Sequence, residues 1–124
     1  MATVELTKDN FDEVVSGNDI VIIDFWAPWC APCRNFAPIF EAESERHDDV
    51  VFAKVNTEEE RELAAHFQIR SIPTLMIFRE KIIIFAQPGM LPANVLTELV
   101  EKAKALDMDE VRRQIAEQEQ QGAG

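Results

Sequence analysis

Cys30 and Cys33 are the only cysteines among 124 residues, and two residues separate them. A structural cross-link stabilises a fold by closing a long loop in the unfolded chain, and a gap this short closes almost none. Nor does a single pair make the dense cysteine framework of a small secreted scaffold. The chemistry left for such a pair is reversible: one thiolate attacks a disulfide and the other resolves the mixed disulfide that forms. The pair ends the run Trp26-Ala27-Pro28-Trp29-Cys30-Ala31-Pro32-Cys33, which lies between an apolar strand pattern and a helical one. A sulfur at the start of a helix faces free backbone N–H groups and the positive end of the helix dipole, and both favour thiolate over thiol. Cys30 is therefore the expected nucleophile, with a lowered pKa. Cys33, one turn further on, is expected to reach the same sulfur.

A CxxC pair can also supply half of a zinc site. The other ligands would have to be His47 and His66, which stand on separate helical segments with no clustered spacing. A proline between the cysteines and tryptophans beside them fit a zinc knuckle poorly. No metal is expected, and both histidines read as solvated helix-end residues. No glycine-rich phosphate loop, pair of catalytic carboxylates or Ser/His/Asp set is visible, so no bound cofactor is expected either.

The elements around the pair follow from periodicity. Ile20 to Trp26 is β-branched and almost wholly apolar, as befits a central strand covered on both faces. Before it, Ala2 to Leu6 reads as a short edge strand. Asn10 and Glu13 have capping-box spacing, opening a helix that Gly17 ends. After the cysteines, Arg34 to His47 reads as a helix kinked at Pro38, Val50 to Val55 as a strand, and Glu58 to Phe67 as a polar helix. Thr74 to Phe78 and Lys81 to Ala86 read as an antiparallel hairpin without an Asn-Gly or Asp-Gly turn. Pro92 fits the first turn of a last helix through Leu106. This order predicts an α/β class: a mixed sheet with helices on both faces.

Composition sets outer limits. At 47% apolar and 28% charged, the chain can bury a core. With 12 basic and 23 acidic residues the net charge is −11, which repels phosphate and argues against nucleic acid and anionic membranes as partners. No apolar run is long enough to cross a bilayer, and Met1 to Asn10 lacks a secretory pattern. A soluble, cytoplasmic protein is expected. Residues 107–124 differ in composition: Asp107 and Glu110 repeat the capping-box spacing, and Met108, Val111 and Ile115 form a thin stripe in a polar stretch. They read as a solvated, frayed terminal helix, with docking to a partner or a second copy through residues 107–121 as the alternative.

Trp26-Ala-Pro-Trp-Cys-Ala-Pro-Cys-Arg34 after Val21-Ile-Ile-Asp-Phe25 resembles the active-site segment of the thioredoxin family, and the resemblance extends over residues 2–105. It implies a thioredoxin domain over residues 1–106 with residues 107–124 appended. It also implies a protein-disulfide reductase that acts on disulfide-containing proteins and takes electrons from a flavin- and NADPH-dependent thioredoxin reductase. By this resemblance Asp24 matches the buried aspartate, Lys54 its neighbouring lysine and Pro38 the helix-kinking proline. Ile72-Pro73-Thr74 matches the loop whose proline is cis, and Gly89 the glycine lining the substrate surface. Cys30, Trp29, Ile72, Pro73 and Gly89 would then form the face that receives an extended substrate segment.

The residues allow a partly independent reading. An unpaired carboxyl inside an apolar strand is expensive, so the Asp24 pKa should rise towards neutrality, which suits a proton acceptor for Cys33. Lys54 would tune it. Trp26 reads as core and Trp29 as exposed. Ala31 stands where reducing family members most often carry glycine, which leaves the redox potential open. Two other functions remain to be weighed: a disulfide oxidase or isomerase, and a non-catalytic binding module that uses the C-terminal helix.

Overall fold

The computed structural model describes residues 2–123; Met1 and Gly124, the outer ends of the two expected segments, lie outside the described residues. The predicted alternation appears as β1 (Thr3–Glu5), α1 (Phe11–Ser16), β2 (Ile20–Trp26), α2 (Ala31–Ser44), β3 (Val51–Asn56), α3 (Arg61–His66), β4 (Thr74–Arg79), β5 (Ile82–Pro88), α4 (Ala93–Ala105) and α5 (Met108–Ala123). The strands form one sheet in the order β1-β3-β2-β4-β5. β3 lies parallel to both β1 and β2, whereas β2–β4 and β4–β5 are antiparallel. The class is α/β with a mixed sheet, as the periodicity predicts.

Side chains along a strand alternate between faces, and β2 shows why its sequence must be apolar throughout. Ile20 and Ile22 join Phe36 and Phe40 of α2 and Leu96 and Val100 of α4 on one face of the sheet. Val21, Ile23 and Phe25 join Val15 of α1 and Leu63 of α3 on the other. Each such side chain taken out of water contributes roughly 1.5–3 kcal/mol, and the two layers clamp β2 in place. Arg79, at the end of β4, donates to the carbonyls of Ala103 and Leu106 at 2.7 and 3.0 Å and so holds the end of α4 against the sheet.

Several local expectations change. Asn10 makes no side-chain cap for α1; its Oδ1 accepts the Thr7 N–H at 2.7 Å and its Nδ2 donates to the Glu5 carbonyl, bracing the turn after β1. α2 starts at Ala31, three residues before the predicted Arg34, so Cys33 is inside the helix and Cys30 caps it. The helix passes Pro38, which has no N–H to give the Arg34 carbonyl. α3 begins at Arg61, later than the predicted Glu58. The β4–β5 turn forms without glycine: Glu80 and Lys81 both take positive φ, 51° and 70°, the signature of the turn whose twist matches a hairpin. α5 is a continuous helix whose capping aspartate, Asp107, accepts the Asp109 and Glu110 N–H groups at 3.0 and 3.2 Å. Met108 is buried, and Arg112 pairs with Glu80 and Asp109. No helix among the described residues is long and apolar enough to cross a membrane.

Candidate redox site

The site forms where β2 leaves the sheet and α2 begins. Cys30 adopts an extended backbone as the N-cap of α2, and its sulfur accepts the Cys33 N–H at 3.2 Å. Cys30 and Cys33 are joined in a disulfide, with Cα atoms 5.2 Å apart. Both are buried, and they pack in a small cluster with Ala27, Trp26 and Ile72. One rim of this cluster is therefore the turn before α2, and the other is the loop before β4.

That loop carries a cis Ile72–Pro73 bond. The Ile72 carbonyl lies 3.7 Å from the Cys30 sulfur, and the Pro73 carbonyl accepts the Gly89 N–H at 2.7 Å. Gly89 has φ +98°, a conformation that side-chain-bearing residues rarely adopt. Ile72 is thus brought to the sulfur from 42 residues away along the chain, and Gly89, 59 residues away, is tied to the same loop through Pro73. Trp29 is 65% exposed beside Cys30, and its indole N–H donates to the Glu58 carboxylate. Glu58 was not recognisable from its sequence neighbours, because its link to Trp29 exists only across the fold.

Asp24 sits on β2, two residues before the strand ends at Trp26. Alternation along β2 puts it on the face of Ile20 and Ile22, the face that Phe36 and Phe40 of α2 cover. Asp24 is fully buried, and neither carboxyl oxygen has a hydrogen-bond partner among the described residues. Desolvation lifts its pKa from 3.8 to about 7, against the opposing pull of the Lys54 charge. Lys54 is the register partner of Asp24 across β2–β3, with its amine 4.8 Å from the centre of the Trp26 ring. Trp26 is half-buried: it packs against the cysteine cluster on one side and carries the lysine on the other, so it is more than core filling.

The two histidines lie elsewhere. His66 is exposed and packs edge-on against Phe67. His47, expected in solvent, is buried, and its Nε2 lies 2.6 Å from Glu43 while the Lys104 amine approaches Nδ1 at 2.7 Å. The i, i+4 spacing of Glu43 and His47 was the signal available for this contact.

The thioredoxin family model matches residues 2–102. A Streptomyces coelicolor protein bearing the name putative thioredoxin 2 is 56% identical over 120 residues, covering 97% of this chain and 90% of the relative. Thioredoxin 1 of a Nostoc species is 38% identical over 103 residues, covering 82% of this chain and 96% of its own length. Among solved structures, a mutant thioredoxin from Halobacterium salinarum superposes with a TM-score of 0.79 at 30% identity, covering 85% of this chain and 93% of that one.

Proposed function

This chain belongs to the thioredoxin family, and from that premise we propose a division of labour among the residues of its redox site. Its activity is thiol–disulfide exchange through the Cys30–Cys33 pair, and it is a disulfide oxidoreductase that needs no bound cofactor. In the proposal, the Cys30 thiolate attacks one sulfur of a protein disulfide and expels the other as a thiolate. Cys33 then gives up its proton and attacks the Cys30 sulfur. The second substrate thiolate leaves, and the Cys30–Cys33 disulfide remains. Two electrons have passed from the dithiol to the substrate.

The observation that carries this assignment is the Cys33 N–H donated to the Cys30 sulfur at the head of α2. That contact, together with the helix dipole, stabilises negative charge on Cys30 and not on Cys33. Cys33 is buried and needs an internal base, and a carboxyl with a pKa of about 7 on the covered face of the sheet suits that task at neutral pH. Lys54 keeps that carboxyl from rising further. Trp29, Ile72, Pro73 and Gly89 would line the substrate strand, with backbone groups at Ile72 and Pro73 holding it beside Cys30.

By family, a flavin- and NADPH-dependent thioredoxin reductase would return the electrons, and the cytoplasm is the compartment in which such a reductant works. We read residues 1–106 as the redox domain and 107–124 as a helical appendage, anchored by Met108. The test is the equilibrium potential of the pair, read from tryptophan emission against a thiol buffer. A value near about −270 mV is expected of a reductant. One of about −120 to −180 mV would move the protein to the oxidases and isomerases.

A further inference from the structure

An apolar trough of about 260 Å³ lies between α2 and the start of α4, lined by Pro38, Ile39, Ala42, Glu43, Arg46 and Ala93. Pro38, Ile39 and Ala42 fall on one stripe of α2 at helical spacing, and Pro38, Ala42 and Ala93 are exposed. Along the chain, a single short loop joins the trough to the redox site. At one end of that loop Gly89 is hydrogen-bonded to Pro73; at the other Ala93 forms the trough wall. Met90, between them, is one of the few large apolar side chains left exposed, at 40%. From Ala86 to Thr97 there is no charged residue, in a chain whose net charge is −11. The buried acid at the floor, Glu43, is already taken up by His47 and Thr97.

We infer that this trough holds the polypeptide flanking the target cysteine of a protein substrate, and that it selects apolar residues there. The inference rests on the reading of Cys30 as the attacking sulfur. The connecting loop argues for the occupant: a chain bonded to Cys30 and leaving over Met90 follows an uncharged loop to Ala93, and Arg46, the exposed charge of the trough, stands at the end of its α2 wall farthest along the chain from Cys33. Helix geometry fixes the spacing. Ala42 is nine residues beyond Cys33, about 13 Å along α2 at roughly 1.5 Å per residue. An extended peptide covers that distance in about four residues at roughly 3.3 Å each. The selected side chain therefore lies three to five positions from the reactive cysteine. Methionine at the entrance fits varied side chains because its thioether is flexible and polarisable.

The test uses the full chain, reduced, and three synthetic peptides that each carry one cysteine as a mixed disulfide with cysteamine. One peptide has a four-residue leucine-rich arm before the cysteine, one has it after, and one has glycine-serine arms on both sides. The rate of Cys30–Cys33 oxidation is followed by tryptophan emission. One leucine-armed peptide should react at least fivefold faster than the glycine-serine peptide. Ala42→Glu with Ala93→Glu, or either exposed substitution alone, should reduce that preference to less than twofold and leave the rate with hydroxyethyl disulfide unchanged. No preference for either leucine arm overturns the inference, as does a preference that survives the double variant. Equal slowing with hydroxyethyl disulfide overturns it too. So does a double variant that only dissociates a self-associated species, which would make the trough an interface between copies. If the native chain does not react with hydroxyethyl disulfide, the assignment of Cys30 fails and takes the trough with it.

Discussion

Asp24 and Lys54 stand opposite each other on the parallel strands β2 and β3, yet the lysine amine rests over the Trp26 ring and the carboxyl has no hydrogen bond among the described residues. The pair is therefore unequal. The cation keeps a favourable aromatic contact, while the acid, its burial only partly offset by the Lys54 charge, holds its proton up to about pH 7. A buried carboxyl without a hydrogen bond is a destabilising feature of the fold, and in our proposal it is the proton acceptor for Cys33.

The sign of the stability effect follows from proton counting. Between about pH 4 and pH 7 the folded protein keeps a proton on Asp24 that the unfolded chain has released, so stability falls as pH rises through that window. Above it the burden is complete, at most about 4 kcal/mol. Asp24→Asn should accordingly stabilise the protein by a few kcal/mol at pH 8 and by little at pH 4. Chemical denaturation at the two pH values measures this, and an equal gain at both would refute it.

Replacing Lys54 with methionine removes the charge that pulls the Asp24 pKa down. The carboxyl should then titrate above pH 7, and the pH profile for resolution of a mixed disulfide should move the same way. Carbon-13 NMR of the labelled aspartate reads the first directly. A downward shift would show that Lys54 acts otherwise.

The two cysteines should fail differently. Cys30→Ser should lose protein-disulfide reduction by at least about a thousandfold, since Cys33, the only other thiol in the chain, is buried inside α2. Cys33→Ser should still attack and then accumulate mixed disulfides, visible as a mass increase on intact-protein spectrometry. Insulin reduction that persists in Cys30→Ser would remove it as the nucleophile.

His47 accepts from Lys104 at Nδ1 and meets Glu43 at Nε2, while Thr97 donates to the other Glu43 oxygen at 2.6 Å, so one buried chain of contacts ties the end of α2 to α4. His47→Ala would leave Glu43 buried without its ring partner, which costs about 3 kcal/mol. A loss under about 1 kcal/mol by urea unfolding would mean that solvent enters the gap. The redox potential should not change.

Gln68 and Lys81 hold positive φ angles of 56° and 70° without being glycine. A left-handed conformation costs a side-chain-bearing residue roughly 1–2 kcal/mol, and glycine's greater unfolded freedom offsets part of the relief. Gln68→Gly and Lys81→Gly should each raise stability by about 0.5–1 kcal/mol, measured by thermal unfolding.

The chemistry was legible in the chain because it is local. A CxxC between an unbroken apolar strand and a helix names its own reaction, and the apolar run of β2 requires cover on both faces, which sets the class. Trp29 reads as exposed for the same reason: it follows the end of the strand. Contacts between distant segments were not legible. The order of strands brings Lys54 opposite Asp24 and the Ile72–Pro73 loop next to Cys30, and pattern alone suggested neither without family resemblance. His47 looked like a polar helix-end residue because nothing nearby reveals that α4 covers it with Lys104. Asn10 looked like a helix cap because spacing cannot tell whether its amide turns forwards to the helix or back to Thr7. Periodicity reports which faces are apolar, since that depends on a residue and its neighbours a turn away. Which buried polar groups find partners depends on what the packed sheet places against them, and that was decided only when the chain folded.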